Sequence, residues 1–239
     1  LSFNSQFAYE NVTADNFRFD NNQFGAAATV DGRVSQSRNF FKTLNAIQTL
    51  NYKNTIGIHT VKADAIFESY EFEENFFNAR GTGFLPNIKV LNGSTSPESV
   101  GGSINKERLL SVVGRINYNY NRKYVFEASF RRDGSSKFSR DTRWWTFFSA
   151  GGSWVLSNEN FIKNIDWINR LKLKVSYGEL GNNRGIGFFP YLQVFDTGFN
   201  QLSKPGVLSL EFVDPNLSWE NTALTNIGVE FSFFENKFN

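Results

Sequence analysis

A chain of 239 residues with 40% hydrophobic content can fill one large or two small domains, yet its mean hydropathy is −0.38 while 17% of its residues are aromatic, 27 of them Phe. That mixture is unusual for a soluble core and suits a wall whose strands alternate a ring-rich apolar face with a hydrophilic one. Twenty-five basic against 23 acidic residues leave a net +2, which argues against a nucleic-acid surface or a polybasic anchor, and the absence of cysteine excludes disulfide frameworks, thiol catalysis and cysteine-based zinc sites.

No segment approaches the roughly 20 apolar residues of a transmembrane helix, and no charged, apolar, small-residue leader opens the chain. A membrane protein of this composition is therefore expected to be a closed barrel, since lipid satisfies no unpaired backbone group. The start at Leu1 and the lack of Met read as an internal piece of a longer exported precursor.

Eight strands are predicted in chain order: 1–9, 40–53, 58–72, 107–120, 123–133, 144–156, 169–179 and 221–234. The first three rest on short alternations, Phe3 to Tyr9, Leu44 to Tyr52 and Val61 to Phe67. From 107 the period of two is plain: Leu110, Val112, Ile116, Tyr118 and Tyr120 alternate with Ser111, Arg115, Asn117 and Asn119. After a tight Asn121-Arg122 turn, Tyr124, Phe126, Ala128 and Phe130 continue one face, and Lys123, Glu127, Ser129 and Arg131 the other, which makes a hairpin. Phe148, Ala150, Gly152 and Trp154 form the next apolar set. Leu171, Leu173, Val175 and Tyr177 follow, then Ile227, Val229, Phe231 and Phe233.

Short connections fall at 54–57, 121–122, 157–168 and after Phe234, and long ones at 10–39, 73–106, 134–143 and 180–220. Short periplasmic turns and long outer loops would produce that alternation. The segment 157–168 is expected to hold a small helical turn with Ser157 as N-cap and Glu159 near its positive end. The long segments are rich in Gly, Ser, Asn and Pro.

The octapeptide Arg131-Arg132-Asp133-Gly134-Ser135-Ser136-Lys137-Phe138 closely resembles a strand-to-loop segment of the SusC/RagA family of TonB-dependent outer-membrane transporters. The match continues in order through Ser149–Trp154, Ser157-Asn158-Glu159, Leu171–Gly178 with Gly181-Asn182, Asp214–Glu220, Asn226–Gly228 and Phe234–Lys237. It is specific from about residue 107 onward. Residues 1–106 match loosely around Leu50–Tyr52 and His59, and Phe148 stands where the family usually has Pro. The resemblance implies an all-β, membrane-spanning antiparallel barrel of about 22 strands, of which residues 1–239 supply about eight. The plug domain and C-terminal strands would lie elsewhere. It also implies a multi-pass protein of the bacterial outer membrane, importing oligosaccharides or peptides with TonB engaged through the plug region and a SusD-like surface lipoprotein as lid. No enzyme activity, cofactor or nucleic-acid partner is implied.

Several side chains stand out as functional candidates. The only histidine, His59, has no second His or Cys beside it, so a structural or interfacial role is expected rather than a metal or catalytic one. Arg131, Arg132, Lys137, Arg140 and Arg143 read either as an anion-binding rim for lipopolysaccharide phosphates or acidic substrate, or as solvated charges around a turn. Trp144, where a strand re-enters the membrane, reads with Tyr118, Tyr120, Tyr124 and Trp154 as membrane girdle. Trp145 on the opposite face remains a stacking candidate. Phe188, Phe189, Tyr191, Phe195 and Phe199 lie among Gly and Asn, and either pack on one another or meet substrate or lid.

Two other functions share parts of this pattern. A passive porin or small closed barrel needs the same alternation, and a soluble carbohydrate-binding β-sandwich would turn its apolar face inward.

Overall fold

The computed structural model describes residues 1–85, 88–202, 204–209 and 213–233. The strands are β1 (Ser2–Asp20), β2 (Arg33–Ile56), β3 (His59–Phe84), β4 (Ser94–Tyr120), β5 (Tyr124–Ser135), β6 (Trp144–Val155), β7 (Ile168–Asn182), β8 (Asp196–Thr197), β9 (Val207–Leu208) and β10 (Glu220–Phe233). Eight form one sheet in the order β1-β2-β3-β4-β5-β6-β7-β10, while β8 and β9 pair apart from it. Among the described residues no helix is long and apolar enough to cross a membrane, which bears on helices alone.

All eight expected strands are present, but the first four are far longer than their apolar alternation. The expected connection 10–39 contracts to 21–32, and 73–106 contracts to 85–93. The added strand residues are mostly polar on both sides, so hydrophobic periodicity, which needs one buried or lipid-facing side, gives no signal there. The expected end of the last strand at Phe234, the turn after it and the matching segment Phe234–Lys237 lie outside the described residues.

The chain divides into two compact units. The first comprises Leu1–Gln6, Ala46–Ser69 and Leu109–Asn239. Its β4–β5 hairpin closes on Asn121 and Arg122, both left-handed at φ 50° and 54°, which is the conformation of a type I′ turn. The Lys123 N–H bonds Tyr120 O at 2.9 Å, and Asn119 Oδ1 accepts the Arg122 N–H. From that turn the register runs without a break, Tyr120 opposite Tyr124 and Leu109 opposite Ser135. Antiparallel β5–β6, β6–β7 and β7–β10 pairings continue it, with Phe126 opposite Gly152, Gly152 opposite Val175 and Val175 opposite Ile227.

The loop end of this unit holds a compact apolar cluster. Phe138 and Phe147 are buried, Trp219 nearly so, and Leu109, Ile186 and Leu217 pack on them. Trp219 meets Phe147 edge-on with ring centroids 5.7 Å apart, and its Nε1 donates to Arg143 O at 2.8 Å. The connections 136–143 and 183–219 are thereby tied to the strands.

The second unit comprises Phe7–Asn45 and Tyr70–Arg108. Charge pairs join its strands: Arg38 with Asp15 at 2.5 Å, Arg33 with Glu98 at 2.7 Å, Lys106 with Glu73 at 2.9 Å and Arg108 with Glu71 at 3.0 Å. Exposed pairs of this kind contribute little each, about 0–1 kcal/mol. Backbone ladders carry most of the pairing, and Arg33 on β2 reaches Glu98 on β4 past the intervening β3. Ala27, Val34 and Phe84 are its buried apolar residues among those described, and the Phe84 N–H bonds Asp31 O.

Phe138 is fully buried among rings, so Phe138→Ala should cost about 3–5 kcal/mol of local stability. Limited proteolysis of the intact protein should then cut within 183–219 sooner, and an unchanged cleavage pattern would show that the cluster does not hold that loop.

Candidate functional site

Alternation gives the first unit two chemically distinct faces. One carries Ile116, Tyr118 and Tyr120 on β4, Tyr124, Phe126, Ala128 and Phe130 on β5, Phe148, Ala150, Gly152 and Trp154 on β6, Leu173, Val175 and Tyr177 on β7, and Ile227, Val229 and Phe231 on β10. The cross-strand register places these sets in continuous rows. Phe126, Phe148 and Ile227 are 55%, 56% and 83% exposed, so nothing among the described residues covers this apolar face there. Large side chains standing uncovered in rows across several strands need an apolar medium or a partner.

The other face is polar and internally bonded near its loop end. Arg131 donates to both Asp133 oxygens at 2.8 Å, to Glu68 at 2.8 Å and to the buried Ser111 hydroxyl at 2.9 Å. Asp133 and Ser111 are directly opposite across β4–β5. Ser129 and Ser149, also opposite, share a hydrogen bond of 2.6 Å. Toward the turn end, Glu230 receives Arg170 at 3.1 Å and Lys174.

This geometry separates the five cations expected to form one rim. Arg131 is engaged on the polar face. Arg132, its chain neighbour, points to the other side and lies over the Trp144 ring at 5.7 Å, because successive strand residues alternate. Lys137 lies over Phe188 and reaches Asn183 O, Arg143 Nε bonds Ser139 O, and Arg140 is exposed. The five do not converge on one site. Trp144 and Trp145 divide in the same way: Trp144 lies against Gly134 on the apolar face, and Trp145 stands opposite Asp133 on the polar one. A Cβ at Gly134 would sit 2.7 Å from the Trp144 ring, so glycine is what lets the indole lie flat there.

Of the loop aromatics, Phe188 and Phe189 face each other with centroids 6.5 Å apart, while Phe195 and Phe199 are exposed and Tyr191 is half-buried. The structure does not gather the five into one platform.

At the turn end the aromatic residues do gather. His59 Nδ1 shares a 2.7 Å hydrogen bond with the Tyr118 hydroxyl, and its ring lies 5.1 Å from Tyr120. Tyr120 meets Tyr124 at 6.2 Å, and Tyr124 stacks on Trp154 at 6.1 Å. His59 therefore joins the row formed by Tyr118, Tyr120, Tyr124 and Trp154.

Glu159 fastens this row to the connection that follows β6. Its carboxylate accepts from Lys123 Nζ at 2.8 Å, Tyr124 OH at 2.8 Å and Trp154 Nε1 at 3.1 Å. Those hydrogen bonds, the Lys123 one first, pull its pKa from the ordinary 4.5 down to about 2. The expected helical turn is correspondingly different. A single 3-10 turn spans Leu156–Asn158, Val155 rather than Ser157 holds the N-cap position, and Glu159 is extended at its end. A further turn follows, in which Glu159 O accepts the Ile162 and Lys163 N–H groups at 3.1 and 2.7 Å, so the expected helical turn opens at Glu159 while its carboxylate is held across the strands. The Glu159 cluster was missed at the sequence level, although alternation already placed Tyr124 and Trp154 on one face. Among the described residues no group of three His, Asp or Glu side chains is placed to hold a metal.

No family model matches the chain. A TonB-dependent receptor of Formosa agariphila is 34% identical over 211 residues, covering 85% of this chain and 19% of the relative. A second TonB-dependent receptor of that bacterium is 29% identical over 248 aligned residues, covering 99% and 24%. The TonB-dependent receptor SusC of Bacteroides thetaiotaomicron is 32% identical over 143 residues, covering 55% and 14%. The chain thus spans about a fifth of the length of the first of these relatives. Among solved structures, the RagAB peptide transporter superposes with a TM-score of 0.91 at 24% identity, over 98% of this chain and 26% of that one. The RagAB peptide importer gives 0.89 in its closed-closed state and 0.83 in its open-open state. At that identity the likeness bears on the fold.

Two outcomes follow from this geometry. Val112→Arg on the apolar face should cost about 2–4 kcal/mol if that face meets lipid at mid-depth, whereas Asn117→Arg on the polar face should be tolerated. Folded yield in the membrane measures both, and equal tolerance would overturn the face assignment. Glu159, whose folded pKa is depressed, stabilises the turn end fully above its ordinary value of 4.5 and loses that effect as pH falls toward about 2. Glu159→Gln should therefore loosen the connection 156–167 at neutral pH by hydrogen exchange, and the difference from the parent should shrink across that acidic window.

Proposed function

We propose that this chain, which belongs to the SusC/RagA family of TonB-dependent receptors, forms part of the barrel wall of a bacterial outer-membrane importer for oligosaccharides or peptides. The carrying observation is the register across β4, β5, β6, β7 and β10. It collects the exposed rings and aliphatic side chains on one face and the bonded charges on the other. A barrel needs that division between lipid and lumen.

In this reading Tyr118, Tyr120, Tyr124 and Trp154 form the inner girdle and Trp144 belongs to the outer one. Arg132, on the apolar face beside Trp144, is the rim cation placed to meet a lipopolysaccharide phosphate. Trp145 and the loop aromatics Phe188, Phe189, Tyr191, Phe195 and Phe199 are the contacts for substrate or for a SusD-like lipoprotein lid. A plug that engages TonB, and the remaining strands of a barrel of about 22, belong to the rest of the receptor.

The test is energised uptake. Cells with the full-length receptor should lose uptake of its growth-supporting oligosaccharide or peptide when TonB is deleted or the proton gradient is collapsed. Uptake that persists under both treatments would make the protein a passive pore.

A further inference from the structure

The apolar face of the first unit is not an even surface. A groove of about 460 Å³ opens on it near the turn end, floored by Gly152 and walled by Phe126, Trp154, Leu173, Val175 and Ile227. Register sets its shape. Gly152 stands directly opposite Phe126 on β5 and Val175 on β7, so a residue without a side chain lies between two large ones. Toward mid-strand the floor continues through Ala150 and, opposite it, Ala128, which line an adjoining depression of about 550 Å³ beside Phe130, Phe148 and Tyr177.

The fold does not require glycine at position 152. Its φ lies outside the left-handed region, the ladders on both sides run through it without a bulge, and an added Cβ would make only ordinary contacts, 3.8 Å from the Phe126 ring. Glycine inside a strand weakens it and, away from bulges and bends, marks the close approach of another group. Here the missing side chain opens the groove. From Trp154 to Phe148 along β6 the floor runs for about 20 Å, at about 3.4 Å per residue. At the tilt of barrel strands, about 40°, this is about 15 Å of depth, roughly half of an apolar band about 25–30 Å tall.

The turn end of the groove is closed by the stacked Tyr124 and Trp154 rings, whose polar atoms Glu159 holds. Beyond the stack, Lys123 neutralises Glu159. Arg122 lies at the hairpin tip, its carbonyl bonded by Asn158, and Lys163 follows Glu159 by one turn. Both side chains are exposed and, among the described residues, neither has a partner. Arg122, Lys123 and Lys163 outnumber Glu159 and Asp166 in the connections at this end.

We propose that the groove and these two cations bind an anionic phospholipid of the inner leaflet, with an acyl chain on Gly152 and Ala150 and the phosphate at Arg122 and Lys163. This rests on the barrel reading, in which the face meets lipid, and goes beyond it by assigning a bound lipid class. The chemistry selects the occupant. The groove is one leaflet deep and walled by apolar side chains, with unpaired cations beyond its turn end, which matches one lipid molecule, and cations at a membrane surface favour anionic lipids. A flexible chain can follow a floor set between rings, whereas a second protein wall would rest on the protruding Phe126 and Phe148 and leave the floor unfilled.

The experiment uses the full-length receptor purified in detergent and stripped by repeated exchange. Phosphatidylglycerol or phosphatidylethanolamine is then titrated in, and bound lipid is counted per receptor by native mass spectrometry. Phosphatidylglycerol should bind more tightly, and Arg122→Gln and Lys163→Gln should each weaken it about fivefold. Gly152→Leu, which fills the floor, should weaken both lipids. Each variant must keep heat-modifiable mobility, and Gly152→Ala, whose Cβ fits without displacement, replaces the leucine variant with a smaller effect if that one does not fold. Equal binding of the two lipids, or binding indifferent to these substitutions, overturns the proposal. Val112→Arg tests the wall independently: a failed lipid result beside a disfavoured arginine rejects the site and leaves the barrel, whereas a tolerated arginine rejects the barrel reading itself.

Discussion

Cross-strand register is the constraint on which the rest of the first unit depends. A shift of one residue in any of its pairings would move that strand's rings to the polar side and bring charges such as Arg131 or Glu230 to the apolar side. The hairpin at Asn121 and Arg122 fixes the β4–β5 pairing locally, because two consecutive left-handed residues admit one short closure. Every later pairing inherits that starting point. This explains why few large apolar residues are buried while Ile116, Phe126, Phe148 and Val175 stand exposed in rows. A soluble protein would place such rows inside. Here the sheet has polar groups bonded on one side and an uncovered apolar surface on the other.

The segments that resemble the transporter family acquire physical meaning at the strand ends. In Arg131–Phe138, Arg131 ties β3, β4 and β5 through Glu68, Ser111 and Asp133, Gly134 makes room for Trp144, and Phe138 starts the apolar cluster. In Asp214–Glu220, Asp214 Oδ1 accepts the Asn216 N–H to set the turn that leads to Trp219, which docks on Phe138 and Phe147. Ser157-Asn158-Glu159 closes the opposite end, where Asn158 bonds Arg122 O and Glu159 collects three donors. Each segment fastens a connection to the sheet, so these residues are required by closure of the chain and do not by themselves specify a substrate.

The sequence shows the apolar half of this pattern and hides the polar half. Val112, Ile116 and Phe126 were readable as one face because apolar residues confined to one side of a strand impose a period of two. The lengthened ends of β1 to β4 were not, since runs such as Glu73-Glu74-Asn75 carry no alternation in hydropathy. Their pairing shows instead in charge partners tens of residues apart, such as Lys106 on β4 with Glu73 on β3, which no local window detects. The separation of Arg131 from Arg132 follows from strand parity alone and was available from the sequence. The Glu159 cluster was not, because it joins two strands and a connection through side-chain reach.

Along β3 the balance of interactions changes within one strand. Near His59 the side chains join an aromatic row, and beyond Ser69 they pair charges with β4. A strand in lipid must show rings or aliphatic groups on its outer side, which leaves at most half of its residues for other purposes. A strand in water has no such requirement, and its backbone ladder already supplies the pairing. Beyond Ser69, therefore, charge pairs such as Lys106 with Glu73 and Arg108 with Glu71 stand beside the backbone ladder where the apolar alternation gives out.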